Sequence, residues 1–168
     1  MSFTPAPGLR PTTDRVRETL FNWLDPHIHG ARCADLFAGS GALGLEALSR
    51  GAGAVDFCDS AGPATALIQQ HLQTLQAQNR GHCHRMPANA FLENASEPFD
   101  IVFIDPPFGA GLVDSACVLL NQRKLLAPNA LVYIETGNGE KLPSLPPHWA
   151  PHRDKRAGEV CYRLFVVS

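Results

Sequence analysis

Short apolar runs alternate along this chain with stretches whose apolar residues recur every three or four positions. The runs Cys33-Ala34-Asp35-Leu36-Phe37, 54–58, 101–104, 130–135 and 160–167 read as strands. Weaker strand patterns lie at 82–86 and 148–153. Between them the helical period predicts four helices. The first begins at Thr13 or Asp14 and runs to Leu24, with Val16, Leu20, Trp23 and Leu24 on one face; Asp25-Pro26 ends it. The second spans 43–50. The third opens at Gly62-Pro63, ends near Asn79-Arg80-Gly81, and buries Leu67, Ile68, His71, Leu72 and Leu75. The fourth covers 115–126 and stops at Pro128. Residues 1–12 read as irregular, and 137–158, rich in glycine, proline and charge, as long loops. The expected fold is α/β: one domain over 1–168 with a doubly wound, mostly parallel seven-stranded sheet, helices on both faces and a closing antiparallel strand.

Three strand ends carry candidate chemistry. The run Ile101-Val102-Phe103-Ile104 closes on Asp105-Pro106-Pro107-Phe108. Two prolines forbid further ladder pairing and an immediate helix, so Asp105 is held at the strand's C-terminal end by a stiff turn. In open α/β sheets that edge is where ligands bind. An acid, free proline carbonyls and the Phe108 ring suit a flat polar ring bearing an amino group; the plain alternative is a turn and nothing more. The strand ending at Phe37 leads into Ala38-Gly39-Ser40-Gly41-Ala42-Leu43-Gly44, a G-x-G-x-x-G pattern between strand and helix. Its glycines allow a tight turn and close approach of a ligand to the backbone, Gly41 being expected to keep that path open. Asp59 ends the next strand 20 residues after Gly39, the spacing of a ribose-binding carboxylate.

Composition adds limits. The 168 residues are 45% hydrophobic, enough for a real core, and carry 14 basic against 16 acidic groups. A net charge of −2 gives no global basic field and argues against a simple nucleic-acid-binding module. Five scattered cysteines with no C-x-x-C pair read as free, mostly buried thiols in a reducing cytoplasm. No apolar run approaches membrane-spanning length. His82-Cys83-His84 has no second ligand pair nearby and reads as strand sequence, so no metal is expected.

With these stretches together, the chain resembles class I S-adenosylmethionine-dependent methyltransferases. Asp35-Leu36-Phe37-Ala38-Gly39-Ser40-Gly41 is similar to their first motif and Asp105-Pro106-Pro107-Phe108 to their catalytic fourth. Arg10-Pro11-Thr12-Thr13-Asp14-Arg15-Val16-Arg17-Glu18-Thr19-Leu20-Phe21 and Lys155-Arg156-Ala157-Gly158-Glu159-Val160 resemble the RsmD family, which methylates N2 of a guanine in 16S ribosomal RNA. That resemblance implies S-adenosylmethionine as cofactor. It implies Asp105, Pro106, Pro107 and Phe108 around the target base, and Asp35, Phe37, Ala38, Gly39, Ser40, Gly41 and Asp59 around the cofactor. Asn89 would stand at the adenine, and Thr12 and Arg15 near the cofactor's amino-acid end. Two departures are visible: the family's basic opening segment is absent here or replaced by residues 2–6, and Asp59 stands where glutamate is usual. The implied partner is 16S RNA within a small-subunit particle, and the expected state is a cytoplasmic monomer. An adenine or cytosine amino-methyltransferase would carry tyrosine at Phe108 and a recognition insertion. A nicotinamide-dependent oxidoreductase would share the glycine pattern but not Asp35 or the Asp-Pro-Pro-Phe turn.

Overall fold

The computed structural model describes residues 14–107 and 111–168. Its strands are β1 (Arg32–Asp35), β2 (Ala54–Asp59), β3 (Gly81–Arg85), β4 (Phe99–Ile104), β5 (Leu126–Gly137), β6 (Trp149–Ala157) and β7 (Val160–Val167). They form one sheet in the order β3-β2-β1-β4-β5-β7-β6. The first five strands are parallel, and β7 is antiparallel to both neighbours. The helices are α1 (Asp14–Ile28), α2 (Ala42–Ser49), α3 (Gly62–Thr74), α4 (Ala88–Asn94) and α5 (Leu112–Gln122). The chain therefore winds outward from β1 to β3, then returns to β4 on the other side of β1. This is a Rossmann-like, doubly wound sheet, and its strand order reverses between β1 and β4.

Two cores follow from alternation along the strands. One joins α1, α2 and α3 to residues such as Cys33, Phe57, Phe103, Tyr133 and Tyr162. The other joins α4 and α5 to Ala34, Cys58, Val102, Ile104 and Val132. An aromatic ladder fixes α1 across the second half of the sheet. Phe21 lies 5.9 Å from Phe103, Phe103 6.3 Å from Tyr133, Tyr133 6.5 Å from Tyr162, and Tyr162 5.5 Å from Trp23. Such pairs add about 0.5–1.5 kcal/mol each beyond the area they bury.

Several elements differ from the sequence expectation. Helix α1 continues through Pro26, which removes one backbone donor, because Ile28 in the last turn is buried against the core. Helix α4 is too short for its period to stand out, although Ala88, Phe91 and Leu92 do follow i, i+3, i+4 and are buried. Helix α3 turns Thr65, Ile68 and Leu72 inward, so Leu67 and Leu75 are 45% and 51% exposed and His71 faces out. Pro128 does not end a helix; it lies inside β5. There the pairing with β4 jumps from Phe99–Leu126 to Ile101–Leu131, and the exposed Pro128 and Asn129 (φ +66°) bulge outward. Strand β6 runs to Ala157 through sequence expected as loop. It is an edge strand, so Pro151 and a row of charged side chains cost it no second ladder. All five cysteines are free, and four are buried. Among the described residues, no helix is long and apolar enough to cross a membrane.

Candidate active site

The site is built where the strand order reverses. Asp35 ends β1, Asp59 ends β2, and Asp105 follows directly on β4. Asp35 is in register with Phe103, and the Leu36 amide donates to the Phe103 carbonyl at 3.2 Å, which ties the ends of β1 and β4 together. Three carboxylates thus stand side by side on the C-terminal edge of adjacent strands. Each stands where a strand passes into a turn, so the fold holds the three close.

Asp35 is 2% exposed, and its Oδ2 accepts the Gly44 amide at 3.1 Å from the second turn of sequence beyond it. Burial pushes its carboxyl up to about 7; the Gly44 bond opposes this and the charges of Asp105 and Asp59 reinforce it. A cation placed against the three groups would reverse that pressure. Asp59 acts as a latch. Its Oδ2 accepts the Gly39 amide at 2.9 Å and its Oδ1 the Ala61 amide at 2.9 Å, joining the turn after β1 to the turn after β2. The Ala38 amide adds a bond to the Cys58 carbonyl at 2.9 Å.

The glycines divide the work. Gly39 (φ +55°) has open space where a Cβ would stand, so this is the point at which a ligand can approach the backbone. Gly41 (φ +81°) caps α2, and its amide closes the turn on the Ala38 carbonyl at 2.7 Å. A Cβ there would meet Ile68 Cγ1 at 2.9 Å, inside the protein, so Gly41 serves the packing of α3 and not the ligand path expected from sequence. A Cβ on Gly44 would overlap the Phe57 ring, which is how α2 lies close on β2. Ser40 is exposed at the tip of the turn, Phe37 is half-buried against the α4–α5 core, and Ala38 is buried.

Beyond β4, Asp105 is half-buried, Pro106 buried and Pro107 exposed. Asn89 is exposed in the first turn of α4, on the edge where β3 ends. Arg15 is exposed on the first turn of α1. That helix leads into the start of β1, so its first turn lies toward the opposite, C-terminal edge. Thr12 and Phe108 lie outside the described residues.

One group was not singled out from the sequence. Glu135, 1% exposed, follows Ile134, which is opposite Ile104; it therefore comes level with Asp105 on the next strand. Its Oε1 accepts the Tyr133 hydroxyl at 2.6 Å. The signal was present: like β4, the apolar run of β5 closes on a carboxylate. Burial pushes the Cys33, Cys58 and Cys117 thiols up to about 12, which makes these three poor nucleophiles. In β3, His84 stands 2.8 Å from Asp56 and packs on Phe91.

Known proteins resemble this chain over nearly its whole length. The family described as Conserved hypothetical protein 95 matches residues 1–166. The chain is 48% identical over 162 residues to the ribosomal RNA small subunit methyltransferase D of Escherichia coli K12, covering 95% of this chain and 80% of that one. The Haemophilus influenzae protein of the same name is 44% identical over 161 residues, covering 94% and 83%. The solved structure titled "Putative methyltransferase yhhF from Escherichia coli" superposes with a TM-score of 0.89 at 46% identity, covering 97% of this chain and 90% of that one.

Proposed function

The chain belongs to the family described as Conserved hypothetical protein 95, with the small subunit methyltransferases D among its relatives, and from that premise we propose that it methylates N2 of a guanine in 16S ribosomal RNA with S-adenosylmethionine. It is a ribosomal RNA methyltransferase; the cofactor, the base and the atom are the substance of the proposal. The observation that carries it is the meeting of Asp35, Asp59 and Asp105 at the reversal of strand order, beside a glycine turn open at Gly39.

The residues present fit such a cofactor. S-adenosylmethionine, when bound, supplies a methyl group on a positively charged sulfur. Gly39 admits a ligand to the backbone. Asp59 spends one lone pair of each oxygen on the Gly39 and Ala61 amides and keeps acceptor capacity for ribose hydroxyls. Asp35 and its neighbours favour a cation nearby. Asn89 is assigned to the adenine, and Thr12 and Arg15 to the amino-acid end.

The exocyclic amine of guanine is a poor nucleophile, because its lone pair is delocalised into the ring. The Asp105 carboxylate and the Pro106 carbonyl each accept one of its N–H groups. Held this way, the nitrogen would become pyramidal with its lone pair freed from the ring for the incoming methyl group, and Asp105 would be placed to take the proton the amine sheds. Pro107 keeps the turn rigid, and Phe108 stacks on a base withdrawn from its helix. Rate comes from positioning and electrostatics, with no covalent intermediate on the protein.

Substrate form follows from charge. A chain of net charge −2 makes few phosphate contacts, so recognition requires the shaped surface of a partly assembled small subunit in addition to RNA. Residues 1–168 act as one methyltransferase domain, in the cytoplasm and as a monomer. Nucleoside mass spectrometry of 16S RNA from cells with and without the protein tests the reading. One N2-methylguanosine should vanish with the protein and return with its gene; an unchanged nucleoside profile would refute it.

A further inference from the structure

Among the described residues, the arginines and lysines fall into two groups. Six are engaged within the fold. Arg17 pairs with Asp14, Arg32 with Asp56 and Glu97, Arg50 with Asp25 and Glu46, and Arg163 with Asp154. Arg80 donates to the carbonyls of Leu48 and Ala52, and Arg123 to those of Leu92 and Ala95. Of the other described arginines and lysines, Arg15, Arg85, Lys124 and Lys141 are scattered over four elements or loops. Only Arg153, Lys155 and Arg156 share one element, and all three are exposed on β6.

We propose that β6 is a phosphate-binding rail for the RNA strand flanking the methylated base, with Arg153, Lys155 and Arg156 as its contacts. The inference rests on the reading of the chain as an RNA methyltransferase and adds the surface that holds the RNA. Register places the rail. Lys155 is opposite Tyr162, which is opposite Glu135; Arg156 is opposite Cys161, which is opposite Thr136. Since Ile134 is opposite Ile104, those two rows run level with Asp105 and Pro106. The path from β4 to β6 crosses three strand spacings of about 4.8 Å, so the rail lies roughly 15 Å from the proposed target position on the same edge. That distance suits the backbone a few nucleotides from a base held at Asp105.

The rail is rigid at its site end. The Asn138 amide donates to the Glu159 carbonyl at 2.7 Å, its Nδ2 to the Gly158 carbonyl at 2.9 Å, and Cys161 Sγ to Asn138 Oδ1 at 3.0 Å. The β6–β7 turn is thereby fixed to the loop that leaves β5. Alternation sends Arg153 and Lys155 to the α1 side and Arg156 to the other, so the charges straddle a free strand edge. The one acid within the row, Asp154, is occupied by Arg163 at 3.6 Å.

Basic side chains on an edge strand also have a simpler use, which is to deter edge-to-edge pairing. Charge reversal separates the two uses, because glutamates guard an edge as well as lysines but repel phosphate. The test is the full chain carrying Arg153→Glu, Lys155→Glu and Arg156→Glu, assayed for methyl transfer to small-subunit particles across a salt series. Calorimetry with S-adenosylhomocysteine and sedimentation accompany it. The rail predicts KM for the particle at least tenfold higher, kcat and S-adenosylhomocysteine affinity unchanged, and a log–log salt slope smaller by about 2–3. If the triple variant does not fold, Lys155→Gln and Arg156→Gln alone should each reduce the slope by about 1. Unchanged KM and slope would overturn the rail alone, as would a shift in oligomeric state with full activity, which would make β6 a contact between copies. A wild-type protein that methylates no RNA would overturn the rail together with the function it rests on.

Discussion

Replacing Asp59 tests the latch and the ribose contact at once. In Asp59→Asn, one amide oxygen can still accept a backbone N–H, but the –NH₂ group faces the other donor, Gly39 or Ala61, and the charge is gone. Hydrogen bonds to a charged acceptor contribute about 1.5–3 kcal/mol each. Ala61 is exposed and Gly39 half-buried, so water recovers part of the loss, and a total of about 1.5–3 kcal/mol is expected for the pair. At about 2–4 °C per kcal/mol for a chain of this size, Tm should fall by about 3–12 °C. S-adenosylhomocysteine would lose a charged acceptor for its ribose and meet a loosened turn. A loss of about 3 kcal/mol, or roughly two decades in Kd, follows. Differential scanning calorimetry and titration calorimetry read the two effects separately. A variant with the lowered Tm but wild-type affinity would show that Asp59 only braces the turn and contacts no ligand.

Other expectations concern the same edge. Gly41→Ala should cost about 2–4 kcal/mol in stability, from its positive φ and the approach to Ile68, whereas Gly39→Ala should cost only about 1 kcal/mol yet abolish S-adenosylhomocysteine binding. Urea melts and calorimetry on both variants distinguish these roles, and equal effects on binding would refute the division. Asp35 is raised from 3.8 to about 7, so its ionisation opposes folding: its own contribution to stability is fully present below pH 4 and is lost as pH rises toward 7. Asp35→Asn keeps an acceptor for the Gly44 amide without ionising, so it should be more stable than wild type at pH 8 by up to a few kcal/mol, with the gap closing near pH 4, while binding S-adenosylmethionine more weakly. A variant less stable than wild type at pH 8 would contradict that sign. Protein-free 16S RNA should be methylated more slowly than small-subunit particles at matched salt, as labelled-methyl incorporation will show; equal rates would return target choice to the RNA alone.

The parts of the fold legible in the sequence are those with strong local patterns. The uninterrupted run of β4, the glycines after β1 and the carboxylates ending three strands place the site, because buried parallel strands and tight turns tolerate few residue types. What was not legible depends on neighbours. Strand β6 has only a weak strand pattern, over 148–153, because beyond Trp149 its side chains are exposed, and pairing with β7 orders the rest of it. The inward stripe of α3 depends on how that helix lies on β2 and β3, which decides for Thr65 over Leu67. Gly41 shows the same limit within a motif: the pattern announces a special backbone, but whether a ligand or Ile68 requires it is a matter of packing. Glu135 does not stand out in the sequence because β5 runs on past it to Gly137, with no proline or glycine directly after the acid to mark a strand end.

The central claim is that Asp105 holds the N2 amine of a guanine for methyl transfer, and one comparison tests it directly. Small-subunit particles incubated with S-adenosylmethionine and either wild-type protein or Asp105→Ala are digested to nucleosides, and N2-methylguanosine is followed over time by mass spectrometry. The account predicts that the wild type forms it and that the variant is slower by about 10²–10³-fold with nearly unchanged S-adenosylhomocysteine affinity. A variant of near-normal single-turnover rate, or a wild type that places its methyl group on a different base, would contradict it.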